Sequence, residues 1–458
     1  MSSHYSDPQQ IEIEKALLLA DQGFQQYRNL SGSRRGQFLR YIAQELEAKE
    51  SNLITVAQEE TSLGIPRLEM ELKRTLNEIS LFVNLAESKK TSFSRHSIEE
   101  EVKDIPIGPV VVIGASNFPF AISVVGTDTI SALSVGCTVV VKAHPAHPHT
   151  CQLLGDIVKK ACKKTEMPNG TFQIIHGQCH TIAQSIVAQP KTSGVAFTGS
   201  LTGGTALYKI ASNRTEPIPF HAEMGSLNPV FALPNKLSEE SSELALNFLE
   251  AVTLFAGQMC TKPGAFFLIN SSENSSFFEC LQDAVHSANV PPMLNQGVYE
   301  NYENCITKLK QELTLFASNE SSESEIENPA YCRIFELDSA QFIKSSNLRT
   351  EAFGPACLLI RCKNEDNMLQ CIETLEGSLT GSLHASKSDH HLANKVYHKL
   401  ELKVGRLIWN GFPPGVIPGV ATHHGGPWPA CTNSSYTSIG IEAYKRFIRP
   451  LHKKGFPD

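Results

Sequence analysis

The chain has 458 residues, 41% of them hydrophobic and 19% charged. That is enough apolar chain for two or three domains with sizeable cores, and it excludes disorder and fibrous repeats. Forty Lys plus Arg against 47 Asp plus Glu leave a net charge of −7, which argues against a general nucleic-acid or anionic-membrane binder.

The first residues, Met1 to Asp7, show no basic segment followed by an apolar one, and nowhere do about 18 apolar residues run uninterrupted. A secretion signal and a spanning helix are therefore not expected. The 12 cysteines are scattered and form no Cys-x-x-Cys pair, so reduced thiols in a cytoplasm are expected, and no metal centre.

Ile11, Ile13, Ala16 and Leu17 open a helical pattern, and Phe38, Leu39, Ile42 and Leu46 mark a second. Pro66 starts a third, with Leu68, Leu72, Leu76, Ile79 and Phe82 at helical intervals. These helices show no chemistry and are expected to clothe the domain that follows.

From Pro109 the pattern changes. Val110 to Gly114, Thr138 to Lys142, Thr171 to Ile175 and Gly194 to Gly199 are short apolar runs, each expected to be a strand buried on both faces. Helical stretches separate them, as in a doubly wound parallel sheet. Ligands bind such sheets at the carboxyl ends of the strands, so Ser116 to Pro119, Lys142 to Pro148 and Thr198 to Ser200 are expected along one rim. Neither a Gly-x-Gly-x-x-Gly fingerprint nor a Walker A loop occurs. Gly199, Ser200, Gly203 and Gly204 open a helix whose N–H groups could meet a phosphate, although a plain strand-to-helix turn reads the same way. A second α/β region follows Pro229, with Ser- and Glu-rich loops at Ser271 to Ser276 and Glu320 to Asn328.

Three residue patterns could carry chemistry. Cys260 lies among small and turn-forming residues, Gly257-Gln258-Met259-Cys260-Thr261, where a thiol can meet backbone donors, or can equally be a packed, inert thiol. Glu223, after the strand-like Pro217 to Phe220, has apolar neighbours that would raise its pKa toward that of a general base. His144, His147 and His149 are broken by prolines and have no nearby carboxylate or thiolate in sequence, so polar contact with a nucleotide fits better than a metal. His390-His391 and His423-His424 read as surface or turn residues.

Together, Ser116-Asn117-Phe118-Pro119, Lys142, Phe197-Thr198-Gly199-Ser200, Glu223-Met224-Gly225, Gly257-Gln258-Met259-Cys260, Glu351-Ala352-Phe353-Gly354-Pro355 and Trp409-Asn410-Gly411 resemble, in order and spacing, the NAD(P)-dependent aldehyde dehydrogenase superfamily. The wording is similar to that of its α-ketoglutaric semialdehyde (2,5-dioxovalerate) dehydrogenases and of a related bacterial fatty-aldehyde dehydrogenase.

The resemblance implies an α/β fold with a doubly wound cofactor-binding domain over 1–224, an α/β catalytic domain over 225–430 and a C-terminal segment, 431–458, packing back. It implies that Cys260 attacks the aldehyde, that Asn117 and the Cys260 N–H hold the oxyanion, and that Glu223 activates the deacylating water. Lys142 then matches an adenosine-ribose contact, Gly199, Ser200 and Gly203 a pyrophosphate contact, and Glu351 and Phe353 the nicotinamide riboside contacts. No acid follows Lys142 in Ala143-His144-Pro145, so NADP is favoured over NAD, with His144 assisting.

The expected partner is a small aldehyde, with no nucleic acid and no membrane. Phe118, Phe120, Phe255, Phe412 and Thr261 are candidate lining residues, and no cation for a substrate carboxylate can be assigned. An aliphatic aldehyde, transfer of the acyl group to phosphate or coenzyme A, and an inactive nucleotide-binding scaffold are the alternatives. The helical pattern begins at Ile11, where family members carry a β-rich segment, and Ser92 to Ile105 is short for the hairpin they project into a neighbour. A homodimer, or a monomer, is expected.

Overall fold

The computed structural model describes residues 5–88, 100–320, 326–413 and 415–456. The chain divides into two compact units. The first comprises the chain through Glu223, Val416–His423 and everything from Ser435 on, and the second comprises Met224–Gly415 and His424–Ser434.

The first unit begins with four helices, α1 (Gln10–Tyr27), α2 (Gly32–Ala48), α3 (Glu50–Thr61) and α4 (Ile65–Glu87). Ser31 caps α2 by accepting from the Arg34 N–H, and Pro66 sits in the tolerated first turn of α4. The expected apolar faces are buried, except that Ile11 is exposed and Leu76 is partly buried. A strand, β1 (Glu100–Pro106), precedes the sheet. Of the short stretch expected over Ser92 to Ile105, residues 92–99 lie outside the described residues.

The sheet then builds from β2 (Val110–Ile113), β3 (Val139–Lys142), β4 (Phe172–Ile175), β5 (Gly194–Thr198) and β6 (Phe220–Glu223), all parallel, in the order β4-β3-β2-β5-β6. Its helices are α5 (Thr127–Val135), α6 (Pro148–Lys164), α7 (His180–Ala188) and α8 (Leu201–Ser212). The valines of β2 and β3 are fully buried, as strands covered on both faces require. The strand order reverses between β2 and β5, so the loops after these two strands flank the switch-point crevice where such sheets bind ligands. Glu223 lies on a strand, β6, opposite Thr198, rather than beyond one.

The second unit is a seven-stranded sheet of β7 (Pro229–Ala232), β8 (Ala265–Ile269), β9 (Thr314–Ser318), β10 (Arg333–Asp338), β11 (Ala356–Cys362), β12 (Ser378–His384) and β13 (Val404–Trp409). The order is β13-β12-β7-β8-β11-β10-β9, parallel except for β9 against β10. Phe231, Phe267 and Phe335 fill one side of this sheet, and Phe248, Phe266 and Phe277 the other. Back in the first unit, Ile441–Phe447 forms a short 3₁₀ turn and β14 (Ile448–Lys454) pairs antiparallel with β1.

Candidate active site

In the first unit, Asn117 stands in the loop after β2 and is buried at 4% exposure. Its carbonyl accepts a hydrogen bond of 2.5 Å from Nη2 of Arg67, a buried residue of α4. Glu223, at the end of β6, is 3% exposed, and its Oε2 accepts from the Ser438 hydroxyl at 2.5 Å. Its carbonyl takes the Gly199 N–H at 3.1 Å, which ties the end of β6 to the Thr198-Gly199-Ser200 turn.

That turn opens α8. Ser200 caps the helix by accepting from the Gly203 N–H at 3.2 Å, and Ser200, Leu201 and Thr202 are exposed. The first turn of a helix carries N–H groups with no intrahelical partner and a partial positive charge, which suits a pyrophosphate. The N-terminus of α6 is closed instead: Glu60 of α3 accepts from the N–H groups of His149 and Thr150, both at 2.8 Å. Of these two helix ends, α8 fits a dinucleotide.

Lys142 is buried at the end of β3, where its Nζ donates to the Gly177 carbonyl at 2.8 Å. His144 accepts from the Ala146 N–H through Nδ1 and stacks on His147. Burial, followed by the charges of His147 and Lys142, holds its pKa well below the ordinary histidine value. His144 is therefore neutral, a hydrogen-bonding group rather than a charge for a 2′-phosphate. His147 is fully buried, with Nδ1 3.3 Å from the Cys151 sulfur.

In the second unit, the Cys260 loop is shaped by three consecutive left-handed residues, Phe255 (φ 53°), Ala256 (φ 55°) and Gly257 (φ 65°). At Gly257 a Cβ would stand 2.3 Å from the Gly354 carbonyl oxygen, so two of the motifs meet backbone to backbone. The loop is further clamped by Asn228, a fully buried residue just before β7 that accepts from the Thr380 N–H and hydroxyl. Its Nδ2 donates to the carbonyls of Cys260 at 2.8 Å and Lys262 at 2.9 Å.

Cys260 is partly exposed and packs on Leu379, Ala430 and Cys431. Its Sγ lies 3.4 Å from Nε2 of His424. His424 is 2% exposed, which corrects the expectation that it lies on the surface: the glycines after it, Gly425 and Gly426, pack directly against the backbone of Gly405 and Ser378. The guanidinium of Arg406, on β13, is close enough to interact electrostatically with Cys260. An imidazole nitrogen at this distance, when it carries no proton, and a nearby cation can both favour the thiolate. Glu351 packs over Gly225, where a Cβ would meet its Oε2 at 2.9 Å.

Two of the candidate lining residues are placed elsewhere. Phe120 is fully buried in the apolar core of the first unit. Phe412 packs against Phe248 and His384 in a cleft along Ser241–Thr253.

The aldehyde dehydrogenase family model matches residues 2–446. The chain belongs to the aldehyde dehydrogenase family. As a member, the enzyme is an NAD(P)-dependent oxidoreductase acting on aldehydes. It is 37% identical to α-ketoglutaric semialdehyde dehydrogenase 2 of Azospirillum brasilense, over 98% of this chain and 88% of the relative. It is 36% identical to the α-ketoglutaric semialdehyde dehydrogenase of Acinetobacter baylyi, over 96% and 86%.

Among solved structures, a 1-pyrroline-5-carboxylate dehydrogenase from Thermus with bound NAD superimposes with a TM-score of 0.84 at 19% identity, covering 97% of this chain and 86% of that one. The enzyme thus has the α/β fold expected from its motifs. Among the described residues, no helix is long and apolar enough to cross a membrane.

Sequence reasoning singled out these loops but not several side chains beside them: Asn228, Ser438, Arg67, Arg406 and His424. For His424 the signal available was its place next to a double glycine, Gly425-Gly426.

Proposed function

We propose that the enzyme oxidises a dicarboxylic semialdehyde, α-ketoglutaric semialdehyde, to 2-oxoglutarate, with Cys260 as nucleophile. The observation that carries the mechanism is the 3.4 Å approach of His424 Nε2 to the Cys260 sulfur. The choice of substrate is supported by the likeness over nearly the whole chain to two α-ketoglutaric semialdehyde dehydrogenases.

With Nε2 unprotonated, His424 accepts the thiol proton, and the Cys260 thiolate adds to the aldehyde carbon to give a thiohemiacetal. The family resemblance assigns the Asn117 amide and the Cys260 N–H as donors to the oxyanion, and Arg67 holds the Asn117 carbonyl. NAD(P)+, when bound, would supply the hydride acceptor, leaving Cys260 to hold the acyl group as a thioester. Glu223, oriented by the Ser438 hydroxyl, takes a proton from water, and the hydroxide displaces the sulfur to release the acid.

The first turn of α8, with Gly199, Ser200 and Gly203, would hold the pyrophosphate and Lys142 the adenosine ribose, while Glu351 and Phe353 would hold the nicotinamide riboside. NADP is the preferred cofactor and NAD is also used: no acid follows Lys142 to repel a 2′-phosphate, although His144 adds no charge. All 12 cysteines are free thiols, which supports a reducing, cytoplasmic setting.

The test is formation of reduced cofactor from NADP or NAD with α-ketoglutaric semialdehyde, glutaraldehyde and hexanal, using Cys260→Ala as control. Turnover of the semialdehyde ahead of the others, lost in the control, is expected. A folded protein inert toward every pair would return it to the scaffold alternative.

A further inference from the structure

The helix α4 carries a second stripe that its leucines conceal. Arg67, Glu71, Arg74 and Glu78 recur at helical spacing along its inner face, and all but Arg74 are buried below 6% exposure. Three of the four are occupied with main chain. Arg67 donates to the Asn117 carbonyl, Glu71 Oε1 accepts from the N–H groups of Phe120 (2.7 Å) and Ala121 (2.9 Å), and Glu78 Oε1 accepts from the Gly440 N–H (3.0 Å).

Arg74 is different. Its Nε and Nη2 are both shielded from solvent, and neither has a hydrogen-bond partner among the described residues. These two nitrogens form one edge of the guanidinium, with parallel N–H groups that match the two oxygens of a carboxylate. Burying such donors without an acceptor is costly, and an arginine cannot shed its proton to escape the cost.

The surroundings narrow the ligand further. The Arg74 guanidinium lies 5.5 Å from the centre of the Phe118 ring, and that of Arg67 lies 5.0 Å from it. Phe118 is the residue after Asn117, so an apolar ring flanked by two guanidinium groups adjoins the loop assigned to the oxyanion; Glu71 and Glu78 lie within electrostatic reach of Arg74 but leave its Nε and Nη2 without a hydrogen bond. A ligand that suits this arrangement has a short aliphatic stretch for the ring and a terminal carboxylate for the free edge.

We propose that Arg74 is a specificity residue that receives the distal carboxylate of a dicarboxylic semialdehyde through its Nε/Nη2 edge, with Phe118 as the platform for the carbons between. This rests on the reading of the substrate given above. It supplies the cation that sequence reasoning could not assign, on a helix where no chemistry was expected.

The test compares wild type, Arg74→Gln and Arg74→Lys in kcat/KM for α-ketoglutaric semialdehyde and for hexanal. In Arg74→Gln the ratio of the two is expected to fall about tenfold to a hundredfold, the range for losing a hydrogen bond to a charged group, chiefly through KM. Arg74→Lys, which keeps the charge but not the fork, should fall less, and it serves alone if Arg74→Gln fails to fold. A ratio unchanged from wild type overturns the proposal.

Glutarate binding, measured by titration calorimetry on the full chain, separates this proposal from the proposed function. If wild type does not oxidise the semialdehyde, that function fails, yet glutarate binding weakened about tenfold in Arg74→Gln would keep the carboxylate subsite. Equal affinity in both proteins, or binding by neither, would remove it.

Discussion

The amide nitrogen of Asn228 holds the carbonyl oxygen of Cys260 at 2.8 Å and that of Lys262 at 2.9 Å. One fully buried side chain thus spans the residue assigned as nucleophile, while its own oxygen is fixed by Thr380 on β12. The position of the thiol is set by this clamp and by the three left-handed residues before it.

Replacing Asn228 should therefore disturb both stability and catalysis. Asn228→Ala leaves two carbonyls without their donor and is expected to cost about 3 kcal/mol, at about 1 to 3 kcal/mol for each unsatisfied buried group. Asn228→Asp sets an acceptor against those same carbonyls and should be at least as damaging. Denaturant unfolding of both variants beside wild type is the measurement, and midpoints equal to wild type would show that the clamp bears no load.

His424→Gln removes the proton acceptor while keeping a polar side chain of similar reach. Alkylation of Cys260 by iodoacetamide near neutral pH should slow about tenfold or more, and kcat should fall about a hundredfold, within the range for general base catalysis. Should alkylation keep its wild-type rate and pH profile, His424 has no part in forming the thiolate.

Glu223→Gln should separate the two halves of the reaction. A burst of reduced cofactor, near one equivalent per chain, is expected before a steady state slowed about a hundredfold or more, because the thioester forms and then waits for water. Ser438→Ala should show a weaker form of the same defect. Loss of the burst itself would move Glu223 to the thiol-activating step.

His384, which is buried, and His221, which is partly buried, are among the histidines that set a pH dependence of stability. Burial lowers the pKa of His384 to about 4 and that of His221 to about 3, with Lys236 and Arg446 respectively adding to the effect. The unfolded chain protonates these rings near pH 6.5, at the ordinary histidine value. Above that pH both states are neutral and the fold loses nothing. As the pH falls below it, only the unfolded state gains protons, and stability drops until the folded-state values are reached. Between pH 7 and 5.5, above the range of most carboxylates, each ring should cost about 1 kcal/mol. Unfolding of His384→Asn and wild type at the two pH values checks this, and parallel losses would mean that His384 is not held neutral.

The fold was legible because buried parallel strands announce themselves: the valine runs of β2 and β3 admit few other readings. The strand order was not, since it depends on which strands pair and not on their composition. In the candidate site, residues on glycine-rich loops, Cys260 and Ser200 among them, stood out through turn chemistry. Asn228, Ser438 and Arg67 did not, because their roles come from partners 32, 215 and 50 positions away. Arg74 was hidden by its own helix, where the leucine periodicity accounts for the pattern and a charged stripe passes for a solvated face. Lys142 and His144 sit at the strand end where they were expected, but the electrostatic state of His144 is a product of burial, which no local pattern reveals.

The contact of Gly257 with Gly354 bears on any attempt to redesign the enzyme. A side chain at position 257 would run into the backbone of the Glu351 to Pro355 segment, so each stretch is the mould for the other. Grafting the cysteine loop from a relative with a different aldehyde preference would carry a shape made for that relative's counterpart. The two segments, 97 residues apart in the chain, form a single transplantable module and should be exchanged as a pair.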